Sequence, residues 1–443
     1  MSLIRRILAP VISARLTDSK RRDKRRAAEE NRRRAAGEPH CIRYFHQVDD
    51  PYSHLAAQRL DNLKHTYTIE LTPTLVTPPD EAAAPESEKL IAYSRKDAAD
   101  IAPWYGLRYT DPCRQPNETQ LNLAKRILAA SIPEEFPASA VEVGEALWAG
   151  DEATLSTLAQ KHGTASEEET VRAIEDGTKM RQSLGHYLSG TFHYGGEWYW
   201  GVDRLLYLEE RLTALGVGLP GKPPVVPRPQ PQAPEGCGTG QTLTFVPSLR
   251  SPYSAIATPP VLDMVQRLGV TLDLEPVLPM VMRGLPVPVS KQRYIMHDAK
   301  READWANVPF GRICDPVGRP VERGFSLFLW AREQGRAEDY LRSFMNAVWA
   351  RGVDAGSDRG LQRIVTDAGL DWKQAKAIVG NDDWREEIEQ NRRRLFDLGL
   401  WGVPSFYLTS SGNEPLFSTW GQDRLWLVEA EIARRAGVEL IRS

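Results

Sequence analysis

The residues with the clearest capacity for chemistry lie near the middle of the chain, in the stretch Leu243-Thr244-Phe245-Val246-Pro247-Ser248-Leu249-Arg250-Ser251-Pro252-Tyr253-Ser254. Its apolar run predicts a strand, and the backbone of Ser251 is pushed away from helical conformation because a proline follows it. A helix predicted over 255–268 then places Ser251 near a helix N-terminus. Free backbone amides and the positive end of the helix dipole favour anions there, thiolates included.

A second copy of this stretch occurs earlier in the chain, at residues 42–53. The Pro-Tyr-Ser sequence is kept, but Asp50 stands where the later copy has Ser251. Matching residues in one order along both halves predict a tandem duplication. The further matches are Tyr93 with Tyr294, Ala99-Asp100 with Ala303-Asp304, Asp111-Pro112 with Asp315-Pro316, Ala146-Leu147-Trp148 with Ala347-Val348-Trp349, and Trp200-Gly201-Val202-Asp203-Arg204-Leu205 with Trp420-Gly421-Gln422-Asp423-Arg424-Leu425.

Each half predicts the same order of elements and therefore an α/β fold. A strand, a helix and a second strand imply a parallel pair joined by a right-handed crossover. A β-hairpin and a last helix close each half. The opening elements are expected at 42–45, 52–63 and 66–71 and at 242–246, 255–268 and 271–277, with a proline loop at 73–85 and hairpins around 190–200 and 401–420. The helical insertions are expected at 89–101, 117–130, 136–148, 151–161 and 167–184, and at 291–303, 320–333, 336–350, 357–367, 371–379 and 382–398.

Composition divides the chain into four parts. Residues 1–39 form a basic arm, 40–215 and 241–443 form two domains, and the proline- and glycine-rich segment 216–240 is a stiff, extended linker. Apolar residues between Leu3 and Leu16 fall close to helical spacing and precede a run rich in lysine and arginine. This pattern is typical of a solvated, partly disordered arm, of an amphipathic helix on an anionic membrane surface or a partner subunit, or of a transit peptide, although acidic residues argue against the last.

The overall composition is that of an ordinary soluble protein. With 41% hydrophobic residues, 26% charged residues and a net charge of −3, the chain has no basic surplus that would favour nucleic acid. No apolar run approaches the ~20 residues of a membrane span, so a cytoplasmic protein is expected. The four cysteines lie far apart without a C-x-x-C motif, which favours unpaired thiols and no metal site.

Both halves resemble the thioredoxin-like family that includes DsbA proteins, kappa-class glutathione transferases and 2-hydroxychromene-2-carboxylate isomerases. The second half carries the resemblance best, in Ser251-Pro252-Tyr253-Ser254, Lys291-x-x-Tyr294-x-x-x-Asp298-x-x-Arg301-x-Ala303, Gly402-Val403-Pro404-Ser405-Phe406 and Trp420-Gly421-Gln422-Asp423-Arg424-Leu425. The resemblance implies two tandem thioredoxin-like domains, each with a helical insertion, that pair as a pseudo-dimer within the chain and allow further oligomerisation. Disulfide exchange needs a thiolate at the helix start, whereas Ser251 and Asp50 occupy that place.

In the glutathione-using branch of this family, the resemblance gives Ser251 the central role. Its hydroxyl points at the glutathione sulfur, and a hydrogen bond to the charged form lowers the pKa of the thiol. Pro404 matches the family's cis-proline, which turns the backbone of Val403 outward to pair with the glutathione peptide.

The two ends of glutathione are assigned to other residues by the same resemblance. Gln422 and Asp423 hold the γ-glutamyl end, with the Asp423 carboxylate facing the ammonium group, and Lys291 lies at the glycyl end. The family's asparagine is absent, since Met282-Arg283-Gly284-Leu285 stands in its region. Arg283 is the candidate substitute for anion binding.

The first half departs further from the family pattern. A carboxylate beside the thiol position would raise the pKa of that thiol by like-charge repulsion, so the first half is expected to be a non-catalytic copy. An alternative is a different site that uses Asp49 or Asp50 with His46 or His193. The replacements are Asp50 for Ser251, Gly190 for Pro404 and Val202 for Gln422.

The resemblance therefore implies a glutathione-dependent isomerase or transferase that acts on a small aromatic or otherwise electrophilic compound through the second domain. The alternative function is a non-catalytic scaffold or binding protein that docks on a membrane or a partner through its basic arm.

Overall fold

The structure is a computed structural model that describes residues 3–409 and 415–440, with side chains described from residue 8 onward. It contains two compact units. Residues 24–230 belong to the first unit, and the residues up to Asp23 together with those from Pro231 belong to the second unit. One division falls within the segment predicted as a linker, and the other falls inside the predicted basic arm.

Each unit is built on one four-stranded sheet. The strands are β1 Cys41–His46, β2 Glu70–Leu75, β3 Thr191–Tyr194 and β4 Glu197–Trp200 in the first unit, and β5 Thr242–Val246, β6 Thr271–Leu274, β7 Ser405–Thr409 and β8 Pro415–Trp420 in the second. The sheet orders are β2-β1-β3-β4 and β6-β5-β7-β8. In both, the first two strands pair in parallel and the last two form an antiparallel hairpin, as predicted. The turn of the second hairpin, at 410–414, lies outside the described residues.

Helices make up most of the remaining chain. The insertion helices begin and end within two residues of the predicted positions. The helices are α1 Leu3–Leu16, α2 Ser19–Ala35, α3 Pro51–Ala57, α4 Leu60–Thr66, α5 Ser87–Ile101, α6 Glu118–Ala130, α7 Phe136–Ala149, α8 Glu152–His162, α9 Glu167–Ser183, α10 Leu205–Ala214, α11 Pro252–Leu268, α12 Val289–Trp305, α13 Arg319–Glu333, α14 Ala337–Trp349, α15 Asp358–Asp367, α16 Trp372–Ile378, α17 Trp384–Asp397 and α18 Leu425–Arg435. Short 3-10 helices span Ala102–Tyr105, Val202–Arg204, Met280–Arg283 and Gln422–Arg424.

The second strand of the first unit differs from the prediction of 66–71. Helix α4 continues to Thr66, and β2 runs over Glu70–Leu75, so that Pro73 lies inside a strand. Proline has no backbone N–H to give to a sheet, and it is therefore confined to edge strands. Strand β2 is such an edge, since it pairs with β1 alone. The proline that predicted a loop is thus accommodated by the position of its strand in the sheet.

The N-terminal region forms two helices, and Ser13, Thr17 and Arg26 connect them to other residues of their own units. The backbone N–H of Ile313 donates to the Ser13 hydroxyl at 2.8 Å, and the Thr17 hydroxyl donates to the carbonyl of Gly311 at 3.3 Å. In the first unit, Arg26 donates two hydrogen bonds of 2.7 Å to the carboxylate of Glu197. In the part of this region that the structure describes, two helices are therefore held by side-chain hydrogen bonds.

Two glutamates hold interior residues of the proline- and glycine-rich segment. In the first unit, the buried Glu209 of α10 accepts hydrogen bonds from the backbone of Val225 and Val226. In the second unit, Glu429 of α18 accepts from the backbone N–H of Ala233 at 3.0 Å. The segment is consequently anchored to each last helix.

The described helices include none with the length and apolarity needed to cross a membrane. All four cysteines are free thiols.

Candidate active site

Ser251 and Pro404, which are far apart in sequence, meet at the N-terminus of α11. Ser251 is the N-cap of that helix, and its hydroxyl oxygen accepts from the backbone N–H of Ser254 at 3.1 Å. The same hydroxyl donates to the carbonyl of Val403 at 3.4 Å. The peptide bond between Val403 and Pro404 is cis. Three of the residues singled out from the sequence are thus brought together, beside the free amides and positive dipole of a helix start.

The Pro-Tyr-Ser that follows Ser251 has a structural role. Ser254 accepts from the backbone N–H of Ser248 at 3.1 Å, and the Tyr253 hydroxyl donates to Asp298 at 2.8 Å. The first unit makes the same contacts, Ser53 with Gln47 at 3.2 Å and Tyr52 with Asp97 at 2.7 Å. These side chains tie the strand, the helix start and the first insertion helix together in both units.

Gln422 is held by a buried carboxylate that sequence reasoning missed. Its side-chain Nε2 donates to Oε2 of Glu302 at 2.8 Å, and Glu302 is 1% exposed. An amide whose N–H is committed inward presents its carbonyl oxygen, an acceptor, in the other direction. Glu302 lies on α12 inside the motif that carried the family resemblance, but at a position that the motif leaves open.

The first unit has apolar residues where the second unit has this polar pair. Asp97 and Asp298 are equivalent because each accepts from the tyrosine of Pro-Tyr-Ser, and Ile101 and Glu302 each follow four residues later. Ala102 is therefore the equivalent of Ala303, and the match of Ala99-Asp100 with Ala303-Asp304 made from the sequence is wrong. Val202 and Gln422 likewise each open the 3-10 helix before the last α-helix. Ile101 and Val202 are buried. Aligning the two halves of the sequence would have pointed to Glu302, because both Glu302 and Gln422 are polar where the first half has apolar residues.

Asp423 lies next to Gln422 and is partly buried. Its carboxylate is 3.7 Å from the guanidinium of Arg424. Gly421 has φ of +122°, and a side chain there would collide with the Asp423 carboxylate. Asp423 is therefore held close to the backbone of the chain that leads out of β8.

Lys291 lies in the first turn of α12, beside an aromatic pair. Its Nζ is 5.6 Å from the ring centre of Trp401, and Trp401 meets Trp420 edge to face at 5.5 Å. Burial lowers the pKa of Lys291 to about 8. Trp401 is separated from Val403 only by Gly402. The contact between Lys291 and Trp401 therefore places the lysine close to the chain segment that contains the cis peptide.

Arg283, the candidate substitute for the family's asparagine, lies in the 3-10 helix after β6. Its guanidinium stacks 5.1 Å from the ring centre of Phe396, and that of Arg392 lies 4.8 Å from the same ring. Arg283 is thereby placed against α17, the helix to which both Phe396 and Arg392 belong. The described residues contain no cluster of His, Cys, Asp and Glu that could hold a metal ion.

In the first unit, the position equivalent to Ser251 is closed by the chain's own groups. Oδ2 of Asp50 accepts from the backbone N–H of Ser53 at 3.0 Å, from the Ser53 hydroxyl at 2.7 Å and from Ser189 at 3.1 Å. Ser189 also contacts Gln47 at 2.8 Å. Gly190, with φ of +62°, permits this approach, since a side chain there would press against the start of α3. Burial raises the pKa of Asp50.

The alternative site of the first unit combined Asp49 or Asp50 with His46 or His193, and among the described residues neither carboxylate has a hydrogen bond to a histidine. The hydrogen bonds described for Asp50 come from serine hydroxyls and backbone amides. His46 instead contacts the Tyr44 hydroxyl at 3.0 Å, and burial lowers the pKa of His46 to about 3. Burial also lowers the pKa of His193 to about 4, which favours a neutral ring at physiological pH.

The equivalent polar groups of the second unit make fewer hydrogen bonds among the described residues than those of the first unit. Where the first unit has Gln47, Ser189 and Asp50, the second has Ser248, Val403 and Ser251. The Ser248 hydroxyl is buried and lacks a hydrogen-bond partner among the described residues. A buried hydroxyl without a partner among the described residues therefore lies close to the Ser251 hydroxyl at the N-terminus of α11, since the backbone N–H of Ser251 donates to the carbonyl of Ser248 at 2.9 Å.

Known proteins of the DsbA-like thioredoxin family resemble the second unit in sequence. Residues 242–433 match the DSBA-like thioredoxin domain family. A 2-hydroxychromene-2-carboxylate isomerase of Sphingobium xenophagum is 25% identical over 198 residues, which cover 43% of this chain and 97% of that protein.

Solved structures also resemble part of this chain. A 2-hydroxychromene-2-carboxylate isomerase (20% identity, TM-score 0.37) covers 44% of this chain and 95% of its own. The cytosolic disulfide reductase DsbM of Pseudomonas aeruginosa with GSH (18% identity, TM-score 0.33) covers 44% of this chain and 99% of its own. With the family match, the sheet order and the cis-proline, residues 242–433 form a DsbA-like thioredoxin domain.

Proposed function

We propose that the second unit is a glutathione-dependent isomerase or transferase of the 2-hydroxychromene-2-carboxylate isomerase or kappa type, acting on a small aromatic or otherwise electrophilic compound. The observation that carries the proposal is the Ser251 hydroxyl, which caps α11 beside the cis peptide of Val403 and Pro404. A serine in place of the cysteine of disulfide exchange can stabilise a thiolate without forming a disulfide itself.

Bound glutathione would supply a thiolate that adds to the substrate and leaves again. The Ser251 hydroxyl and the amides that open α11 lower the pKa of a thiol placed there. The backbone of Val403 pairs with the peptide of the ligand. Glu302 orients Gln422 so that its carbonyl oxygen accepts from an ammonium group, which Asp423 balances in charge. Lys291 attracts the glycyl carboxylate.

We infer that the two units are tandem copies and that the first is non-catalytic. Both have the same sheet order and the same contacts around Pro-Tyr-Ser. In the first, Asp50 brings a negative charge to the thiol position, and Ser189 and Gln47 occupy the space around it. Four free thiols fit a reducing compartment, and we place the protein in the cytoplasm.

The direct test is calorimetric titration of glutathione into the full chain and into two variants at Ser251. Ser251→Ala removes the hydroxyl, whereas Ser251→Asp keeps a helix cap and reproduces the residue of the first unit. We expect the pKa of the bound thiol, followed by the ultraviolet absorbance of the thiolate, to rise in both variants.

Asp50→Ser is the matched control, since it alters the equivalent cap in the other unit and should leave glutathione binding unchanged. Absence of binding at millimolar glutathione, or an unchanged thiol pKa in both Ser251 variants, would refute the proposal.

A further inference from the structure

Helix α1 presents an apolar stripe to solvent. Among the side chains described from residue 8 onward, four large ones are between 43% and 55% exposed, and they follow the spacing of one helix face: Leu8, Val11, Ile12 and Leu16. Single exposed apolar residues are ordinary, but four neighbours on one helix face form a patch that marks an interaction surface.

The opposite face of α1 packs against residues 311–313 of the second unit. Pro10 and Thr17 are buried, Ser13 bonds the backbone of Ile313, and Thr17 bonds that of Gly311. The helix is therefore fixed on the second unit by its inner face, and this contact holds the apolar stripe outward. Rotation of the helix to hide the stripe would break these hydrogen bonds.

Exposed cations lie within and beside the stripe. Arg15 is exposed between Val11 and Leu16 on the helix face, and Lys20 and Arg21 open α2 immediately afterwards. None of these three forms an ion pair within the described part of the chain, whereas the nearby Asp23 is paired with Arg22.

We propose that this surface, formed by Leu8, Val11, Ile12, Leu16 and the cations Arg15, Lys20 and Arg21, binds an anionic phospholipid bilayer. An apolar stripe bordered by cations is the pattern of a helix that lies in the membrane interface, with its apolar side chains among the acyl chains and its cations at the lipid phosphates. Arg15 can bury its stem and extend its guanidinium to the headgroups.

Charge favours a bilayer over a second copy of this chain. In a symmetric dimer the same surface would meet itself, so that Arg15, Lys20 and Arg21 of one copy would face those of the other and repel them. An anionic surface instead pairs with every cation, and each one held there strengthens binding by roughly fivefold.

The test is flotation of the full chain with phosphatidylcholine vesicles, with and without phosphatidylglycerol. We expect binding to the vesicles that contain phosphatidylglycerol and its weakening as salt is raised. Val11→Glu/Ile12→Glu and Lys20→Glu/Arg21→Glu should each reduce binding by at least about tenfold. Val171→Glu/Met180→Glu, at two exposed apolar residues of α9, is the matched control and should bind as the wild type does.

Circular dichroism and thermal unfolding establish that each variant is folded. The inference is overturned by failure of the wild type to bind anionic vesicles, by equal binding to neutral ones, or by a Val11→Glu/Ile12→Glu variant that binds undiminished. A second outcome would also overturn it: the wild type does not bind vesicles, and sedimentation shows that it self-associates unless Val11 and Ile12 are replaced. In that case a second copy of the chain covers the stripe.

Discussion

The carboxamide of Gln422 donates to the carboxylate of Glu302 at 2.8 Å, in a position where the carboxylate is 1% exposed. The equivalent residues of the first unit, Ile101 and Val202, are both apolar and buried. Burying a carboxylate costs free energy that an apolar pair avoids. The half of the chain that has Ser251 thus keeps a costly polar pair, and the half that has Asp50 does not.

Replacement of Glu302 should weaken glutathione binding through Gln422. In Glu302→Ile, the Gln422 amide loses its acceptor and its fixed orientation, and we expect the Kd for glutathione to rise about tenfold, as loss of one hydrogen bond to a charged group implies. In an activity assay, the KM for glutathione should rise while kcat changes little.

The double variant Glu302→Ile/Gln422→Val rebuilds the apolar pair of the first unit and tests the coupling. It should fold with a stability close to that of the wild type, yet bind glutathione no better than Gln422→Val alone. Independent, additive effects of the two substitutions on Kd would show that Glu302 does not act through Gln422.

Lys291 should make the binding of a carboxylate ligand dependent on pH. Its pKa of about 8 lies below the ordinary value of 10.5 because burial disfavours the charged form. As pH rises through about 8, the folded protein loses this cation, and affinity for S-methylglutathione, which has no free thiol, should fall. Lys291→Gln should bind more weakly at pH 7 and lack this part of the pH profile.

The free energy of unfolding should depend on the titration of Lys291 in the opposite sense to ligand binding: a rise in pH weakens binding but increases stability. Between about pH 8 and 10.5 the unfolded chain binds the proton that the folded chain has lost. The contribution of Lys291 to the free energy of unfolding therefore increases with pH in that window. Chemical denaturation at several pH values should show this difference between the wild type and Lys291→Gln.

Gly402→Ala should destabilise the second unit. A side chain at this position would collide with the indole ring of Trp420, which is itself set edge to face against Trp401. Overpacking of this kind costs about 1 to 3 kcal/mol, which thermal unfolding should record as a lower Tm. Gly218→Ala is the control, because its new methyl group would meet Tyr67 at an ordinary 3.7 Å. Equal Tm values for the two variants would contradict the prediction.

Asp50 should reduce stability near neutral pH and cease to do so in acid. Burial raises the pKa of Asp50 in the folded chain, so this carboxyl takes up its proton at higher pH when folded than when unfolded. Its contribution to stability therefore increases as pH falls through the folded value. Hydrogen exchange of the α3 amides, compared with Asp50→Asn, measures this effect, which an identical pH dependence in the variant would exclude.

Periodic patterns predicted most of the architecture. The insertion helices, the parallel pair of each half and the closing hairpins follow from local residue preferences and from alternation of apolar residues. The second strand of the first unit was misplaced, because Pro73 is compatible with a strand only at a sheet edge and edge position is a property of the assembled sheet. Local patterns also could not predict that Ser13 and Thr17 form hydrogen bonds with residues 311–313, about 300 positions later in the chain.

For the candidate site too, some features could be predicted from the sequence and others depended on the tertiary structure. From the sequence, Ser251, Pro404, Gln422 and Asp423 were predicted as site residues because each stands in a short motif that resembles the family's, and their roles toward a thiol ligand stay predictions. Only the tertiary structure placed the Ser251 hydroxyl against the carbonyl of Val403 and revealed Glu302 behind Gln422. Such contacts join residues more than a hundred positions apart, and their distances depend on how strands and helices pack rather than on any local preference of the chain.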